Sequence, residues 1–409
     1  MRDVVALEPV RPAFVLGYTL AQIGAYVAFV PLFNVVLPIQ AQTLSPGNGS
    51  FVLSQVAILG ALAAGATNFL AGVISDGSRG VMAGRRPWIV GGALATSGAC
   101  IGVVVAPSAG SLILAVVVFQ IALNVMFGPL NAVLADRVPD AQKGLVSAMI
   151  GLGFPVANLF AALFIAVMLS DQTARMIVVA ATVAILVVPF GLSLKERARV
   201  APAPMTLGRL SFSALADPDF LMAFLSRLLV QVAITLNVLY LLFFLQQESD
   251  IGRRFPHLRA EAILGWLMAA ATVASLIVGF AGGLLSDRFW RRKTFVAAGA
   301  LMMGAGALLL VLAPQWPGPL AAQLLFGAGL GLYSTVDVAL VAQVLPSRDN
   351  AGRDLGIMNL AITLPQFAAP LLGMMIISIA TQAMPWIFIS AAAFALAGAV
   401  AVARISKVA

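Results

Sequence analysis

The sequence predicts an all-α polytopic membrane protein of twelve transmembrane helices in two pseudo-symmetric six-helix bundles. Three observations predict it. Hydrophobic residues make up 61% of the 409 and charged residues only 10%, whereas a soluble domain carries about 25% charged residues. Apolar runs of roughly 20 residues recur from end to end, each long enough to cross a bilayer as a helix. Finally, charge motifs in the first half recur in order in the second.

The spans fall at 12–38, 52–74, 87–106, 111–134, 144–169, 175–194, 219–245, 262–285, 294–313, 318–344, 355–380 and 384–404. Their connections carry helix breakers such as Pro46-Gly47-Asn48-Gly49, Pro107-Ser108 and Pro314 to Pro319. The connection at 195–217 is basic (Lys195, Arg197, Arg199) and then rich in proline and alanine. It reads as a linker between an N-terminal bundle at 1–194 and a C-terminal bundle at 218–409.

Orientation follows from basic residues, which collect on the cytoplasmic side of membrane proteins. One set of connections and termini holds 19 of the 24 Lys and Arg, and the opposite set holds four: Arg175, Arg253, Arg254 and Arg259. Both termini are therefore expected in the cytoplasm, with the chain in the cell (inner) membrane. The five tryptophans, Trp88, Trp266, Trp290, Trp316 and Trp386, fall near span ends, where indoles favour the interface. The net charge of +8 lies in these short loops, which argues against nucleic acid as partner. One cysteine, Cys100, excludes a disulfide framework, and one histidine, His257, excludes a histidine-based metal site. No metal or cofactor is expected, and the first apolar run reads as a retained span.

The halves echo one another. Ser75-Asp76 precedes Arg85-Arg86, and Ser286-Asp287 precedes Arg291-Arg292-Lys293. Span 4 leads into Val138-Pro139 and Gly144; span 10 leads into Leu345-Pro346 and Gly352. A duplicated six-helix unit is the sequence mark of a secondary transporter, with its solute site expected at the interface between repeats.

Polar side chains concentrate in spans 1, 4, 7 and 10. Tyr18, Gln22, Tyr26, Phe29 and Phe33 form one face of span 1. Gln120, Asn124 and Asn131 share a face of span 4; Arg227, Gln231 and Thr235 share one of span 7, with Asn237 and Tyr240 beyond. Tyr333 and Asp337 are one turn apart in span 10; spans 5 and 11 add Asn158 and the stripe Asn359, Thr363, Gln366. Amides and phenols facing lipid would lose their hydrogen bonds, so these faces are expected to line a cavity. Rings beside amides suit a neutral, hydroxyl-rich ligand. The competing reading is that single amides join helices. The pairs Gly98/Gly102 and Gly279/Gly283 have the spacing that lets helices approach closely.

Two charges lie deep in apolar spans, Arg227 and Asp337. A lone charge in hydrocarbon is costly, so such residues are kept for a partner, a pathway or a proton. Both sit about 10–12 Å inside the same end of their helices, at 1.5 Å per residue, so a pair is geometrically allowed. A neighbouring arginine favours the ionised acid and desolvation favours the neutral one, and that opposition suits a proton-coupling pair. A static bridge, or an arginine snorkelling to the headgroups, is the alternative.

The chain resembles the major facilitator superfamily over its whole length. The stretch from Asp76 through Arg79, Gly84, Arg85, Arg86, Pro87 and Trp88 to Ile89 is similar to the signature of sucrose-type and glycoside–pentoside–hexuronide cation symporters, with one arginine fewer and altered spacing. Val336-Asp337 to Pro346 and Ala351 to Gly356 resemble bacterial members of the same kind. The resemblance implies a central cavity lined by spans 1, 4, 7 and 10, and alternating access. It also implies a cytoplasmic gate of Asp76, Arg85, Arg86, Asp287, Arg291 and Arg292, with Lys293. Sodium-coupled relatives place acids in spans 2 and 4, where this chain has Asn68, Gln120 and Asn124, so protons are the expected coupling ion.

The expectation is a monomeric secondary transporter, not an enzyme, that moves a small solute, a sugar or glycoside, by proton symport. Expected solute contacts are Tyr18, Gln22, Tyr26, Gln120, Asn124, Gln231, Asn237, Tyr240, Tyr333 and Asn359, with Asp337 and Arg227 coupling protons. Efflux of amphipathic compounds, and a non-transporting assembly or pigment-handling role on the same fold, are the alternatives. The outer run Glu248 to Glu261 reads as a solvated connector.

Overall fold

The computed structural model describes residues 9–77, 84–194, 212–346 and 351–406, with side chains of 69–77, 212–213 and 351–353 left aside. The side chain of Asp76, Arg79, the linker from 195 to 211, Arg348 and the side chain of Arg353 thus lie outside the described residues.

Twelve helices among the described residues are long and apolar enough to cross a membrane. They are α1 (Pro12–Leu44), α2 (Gly49–Gly77), α3 (Arg86–Val104), α4 (Ala109–Arg137), α5 (Asp140–Met168) and α6 (Gln172–Ser193). The second six are α7 (Pro218–Gln247), α8 (Ala260–Phe289), α9 (Arg292–Leu312), α10 (Gly318–Val344), α11 (Ala351–Ile379) and α12 (Ala383–Ala403).

Their starts follow ordinary capping chemistry. Proline stands in the first turn of α1, α3, α7 and α10, where its missing N–H is not needed. Ser108 and Ser111 form a reciprocal capping box at α4. Asp171 accepts from the Ala174 N–H at α6, and Asp217 from the Asp219 and Phe220 N–H groups at α7.

Helix α1 departs from the expected span. The expected span stops at 38, yet the helix continues to Leu44. After Pro31 it widens to a π-helical stretch, Leu32–Val36, in which the Leu37 N–H reaches the Leu32 carbonyl. The wider register accommodates two prolines that would otherwise break the ladder. Helix α5 breaks at Leu152, between Gly151 and Gly153, and finishes in a π-helical stretch, Ala161–Met168.

The chain divides into two compact units: Met1–Gly49 with Leu59–Met205, and Ser50–Ile58 with Thr206–Ala409. The first turns of α2 therefore group with the second unit. Within the first unit α1 packs on α5 and α6, and α3 packs on α4 and α6. Within the second, α7 packs on α11 and α12, and α9 packs on α10 and α12. One packing order thus recurs in both units, as the sequence echoes suggest.

Close helix approach matches the glycine reading in one unit and corrects it in the other. A Cβ on Gly279 would stand 2.9 Å from the Gly331 carbonyl oxygen, and one on Gly283 2.9 Å from Thr335. Gly98 and Gly102, by contrast, do not mediate tight packing: a Cβ on Gly98 meets nothing within 4 Å, and one on Gly102 meets only Ala115 at 3.9 Å. The buried stripe of α3 runs through Gly92, Thr96, Cys100 and Val103. Its close approach is at Gly92, against the backbone of Met126.

Candidate functional site

In the first unit, α1 and α4 are joined by neutral groups. The Tyr18 hydroxyl donates to the Leu130 carbonyl at 3.0 Å, and its ring stacks on Phe190. Gln22 donates to the Asn131 side chain at 2.9 Å. Deeper in the helices Asn34 donates to Asn158 at 3.2 Å. Asn68 donates to Asn124 at 3.1 Å, and Asn124 donates to the Gln120 carbonyl at 2.9 Å. The expected face of α1 therefore exists, but Tyr18 and Gln22 direct their polar atoms to α4. These bonds join helices, which was the competing reading of single amides.

Two of the expected solute contacts in this unit stay uncommitted among the described residues. The Tyr26 ring meets Phe127 and Phe154 edge-on, and its hydroxyl forms no hydrogen bond among the described residues. The Gln120 side-chain amide likewise forms none, beside Gly60. A phenol and an amide held by packing alone can still serve a ligand.

In the second unit, α7 and α10 are joined by charge. Arg227 donates to Asp337 through Nε at 2.8 Å and through Nη2. Both side chains are largely buried, 12% and 7% exposed. Toward the other end of the same two helices, Asn237 and Gln323 exchange amide hydrogen bonds at 3.4 and 2.9 Å. Tyr240 is fully buried; its hydroxyl lies 2.6 Å from Ser54 Oγ and 3.4 Å from the Pro370 carbonyl, against Gly373. Ser54 lies in the Ser50–Ile58 segment of this same unit. Gln231 is half-buried and Asn359 exposed, and neither side chain is bonded among the described residues. Tyr333 is 5% exposed, and its hydroxyl lies beside Ser226 and Asp337.

At the Arg-rich ends, Arg85 bonds Asp136 at 3.1 Å. Arg292 bonds Asp287 at 3.3 Å and the Ala339 carbonyl at 3.2 Å. Lys293 donates to the Ile405 carbonyl at 2.9 Å. Arg86 and Arg291 are exposed. The outer connector is anchored where Asp250 accepts from the Trp316 N–H at 2.8 Å and Phe255 meets the Trp316 ring edge-on.

Sequence reasoning missed Gln323, Ser54, Asn34 and Asp136 as partners. Gln323 was findable: it stands 14 residues before Asp337, four turns along the same face of α10. Ser54 carried no signal, because its partner is 186 residues away in the chain.

The sequence matches the description Major Facilitator Superfamily over residues 14–256 and 255–408, nearly its whole length. The chain belongs to the major facilitator superfamily. As a superfamily member it is a multi-pass membrane protein and a secondary transporter of small solutes, not an enzyme. It is 28% identical over 115 residues to an uncharacterized MFS-type transporter of Schizosaccharomyces pombe, 28% of this chain. It is also 28% identical over 83 residues, 20% of this chain, to plastidic glucose transporter 4 of Arabidopsis thaliana. These matches span only 25% and 15% of the two relatives' own lengths. Among solved structures, a bacterial homolog of the human lysosomal transporter Spinster, inward-facing and occupied, superposes with TM-score 0.73 at 15% identity, covering 98% of each chain. A peptide transporter POT in complex with sulfate reaches 0.75 at 10% identity, covering 97% of this chain and 96% of that one. The nucleoside transporter NupG reaches 0.72 at 12% identity, covering 96% and 98%. At such identities these likenesses establish the fold.

Proposed function

We propose that this superfamily member is a proton-coupled symporter of a small neutral solute, a sugar or glycoside, with Asp337 as the proton site and Arg227 as its partner. The observation that carries the reading is the Arg227–Asp337 ion pair within apolar helices. An intramembrane acid held by one arginine can exchange that partner for a proton, which neutralises the acid and releases the arginine to another acceptor or to the headgroups. The solute contacts are the groups that hydrogen bonds within the protein leave available: Tyr26 and Gln120 in the first unit, Gln231 and Asn359 in the second. Tyr18, Gln22, Asn124, Asn237 and Tyr240 shape and brace the helices that carry them. Amides beside a phenol offer donors and acceptors to hydroxyls, which suits a sugar better than an ion. The resemblance to sucrose-type symporters and the local match to a glucose transporter support the same class.

The gate residues of this reading are Arg85 and Asp136, Arg292 and Asp287, with Arg86 and Arg291 as exposed cations, at the cytoplasmic face of the inner membrane. Both termini share that face, and the chain works as a monomer.

The test is uptake into proteoliposomes under an imposed inward proton gradient, after a thermal-shift screen of mono- and disaccharides. Wild type accumulates the solute against its gradient. Asp337→Asn abolishes accumulation and keeps solute exchange. Undiminished accumulation by Asp337→Asn would refute the coupling assignment.

A further inference from the structure

The segment that follows α12 is held from two sides. Backbone bonds from the Arg404 N–H to the Ala401 carbonyl and from the Ile405 N–H to the Val402 carbonyl turn the chain at the helix end. The Ile405 side chain is buried, 1% exposed. Its carbonyl accepts from the Lys293 ammonium at 2.9 Å. The N–H of the same peptide group, on Ser406, donates to Asp219 Oδ1 at 2.7 Å. The Ser406 hydroxyl donates to the same carboxylate, at 3.1 Å from Oδ1 and 3.2 Å from Oδ2.

A trans peptide group points its C=O and N–H in opposite directions. Here the carbonyl meets a cation and the N–H an anion. One neutral group thus lies between two opposite charges, with each end of its dipole matched. Hydrogen bonds to ionised groups are roughly twice as strong as neutral ones. Asp219 is 4% exposed in the first turn of α7, where Asp217 already caps the helix. Its carboxylate is turned instead to a segment 187 residues away. Capping α7 does not require that carboxylate; holding Ser406 does.

The same contacts lead to the ion pair. Lys293 stands in the first turn of α9 beside Arg292, which donates to the Ala339 carbonyl of α10 at 3.2 Å. Ala339 is two residues beyond Asp337. Arg227 is eight residues beyond Asp219 on α7, about 12 Å at 1.5 Å per residue. Contacts therefore run from α7 through Ile405 and Ser406 to α9 and on to α10, and the Arg227–Asp337 bond closes the loop.

We propose that the Ile405–Ser406 peptide is a strap joining the start of α7 to the start of α9, and that the strap keeps Arg227 on Asp337 while no solute is bound. Its release lets α7 and α10 part, and the acid then meets protons without solute. Asp219 and Lys293 are positioning residues in this scheme. The strap stands on its own contacts; its hold on the ion pair rests on the proton-coupling reading.

The experiment uses the full chain. Maleimide labelling of an Ile405→Cys chain in detergent, read by mass spectrometry, reports release of the strap, with buried Cys100 as the internal control. Labelling is expected to be slow. Adding Asp219→Asn or Lys293→Met is expected to accelerate it at least about tenfold, the effect of one lost charged hydrogen bond on an opening equilibrium. Ser406→Ala keeps the peptide N–H and is expected to accelerate labelling less than Ser406→Pro, which removes it. Both of these substitutions lie beyond the last span and leave every helix intact. Rapid labelling of the parent chain, rates unchanged by Asp219→Asn and Lys293→Met, or equal effects of alanine and proline would each overturn the strap. Proteoliposomes with a trapped pH dye then measure proton entry with no solute present. Ser406→Pro and Lys293→Met are expected to raise it at least about threefold, and adding Asp337→Asn to return it to the wild-type rate. An unchanged rate, or a raised rate that persists with Asp337→Asn, would overturn the hold on the ion pair, while the labelling still decides the strap. The coupling reading itself is decided separately, by accumulation in Asp337→Asn.

Discussion

The seam between α1 and α4 and the seam between α7 and α10 occupy the same place in the two units, yet one is neutral and the other ionic. Ala21 stands nine residues after Pro12, and Arg227 nine after Pro218. Leu130 stands nine before Pro139, and Asp337 nine before Pro346. At this level the first unit joins its helices through the Leu130 backbone carbonyl and the Asn131 side-chain oxygen, which accept from Tyr18 and Gln22. The second unit uses a carboxylate and a guanidinium. A seam of amides and a phenol is indifferent to a proton near neutral pH. The ionic seam, by contrast, holds two opposite charges. The two seams thus differ in kind: neutral hydrogen bonds hold one, and the other buries the acid that the proposed function makes the proton site.

The largest effect expected from this contrast comes from breaking the ion pair on one side. Asp337→Ala leaves Arg227 buried and uncompensated, and unfolding measurements in detergent are expected to show a loss of about 3–5 kcal/mol. Replacing both partners, as Arg227→Met with Asp337→Leu, is expected to recover most of it. A loss below about 1 kcal/mol in the single variant would place the ionic seam on a par with the neutral one.

Glycine contacts sharpen the contrast next. A Cβ on Gly331 would stand 1.9 Å from the Ser275 carbonyl oxygen, a backbone atom that cannot swing aside. Gly331→Ala is expected to cost about 1–3 kcal/mol through overpacking of α8 on α10. Gly98→Ala in the first unit meets open space and is expected to be neutral, or stabilising by up to about 1 kcal/mol through helix propensity. Equal melting shifts for the two would contradict the packing difference.

The neutral seam is expected to respond less. Asn131→Leu leaves the Gln22 amide with only its 3.4 Å bond to the Tyr18 hydroxyl, and a loss of about 0.6–1.5 kcal/mol is expected, near the usual value of one interhelical hydrogen bond. Pairing it with Gln22→Leu should return stability toward wild type, which a double-mutant cycle would measure.

Smallest is the contrast at the Arg-rich ends. The Arg85–Asp136 side chains are 14% and 28% exposed, while Asp287 in the matching pair is 71% exposed. Asp136→Asn is expected to cost about 1 kcal/mol and Asp287→Asn under about 0.5, each less at high salt. A reversed order would reverse the ranking of these two contacts.

Much of this was legible in the chain. Arg227 and Asp337 stood out because nothing else charged interrupts an apolar span, and their depth could be counted in helical rises. The landmarks Pro139 and Pro346 aligned the repeat before any packing was seen. Less legible was the fate of the amides and phenols. Tyr18, Asn237 and Tyr240 read as cavity-facing because they share faces with other polar residues, but a shared face does not say whether a helix or a ligand lies opposite. Gly98 and Gly102 failed for the same reason: four-residue spacing identifies a smooth face, not what covers it.

By itself the sequence determined the number of spans, their bounds to within a turn or so, and the depth of the two buried charges. Those are local quantities, set by hydrophobic length, capping chemistry and a rise fixed per residue. Only the tertiary structure decided which polar groups are already satisfied and which remain free for a ligand. Partners such as Ser54 and Tyr240, or Asn237 and Gln323, lie 186 and 86 residues apart. A hydrogen bond needs atoms within about 3 Å, a proximity that packing creates and that residue spacing does not encode.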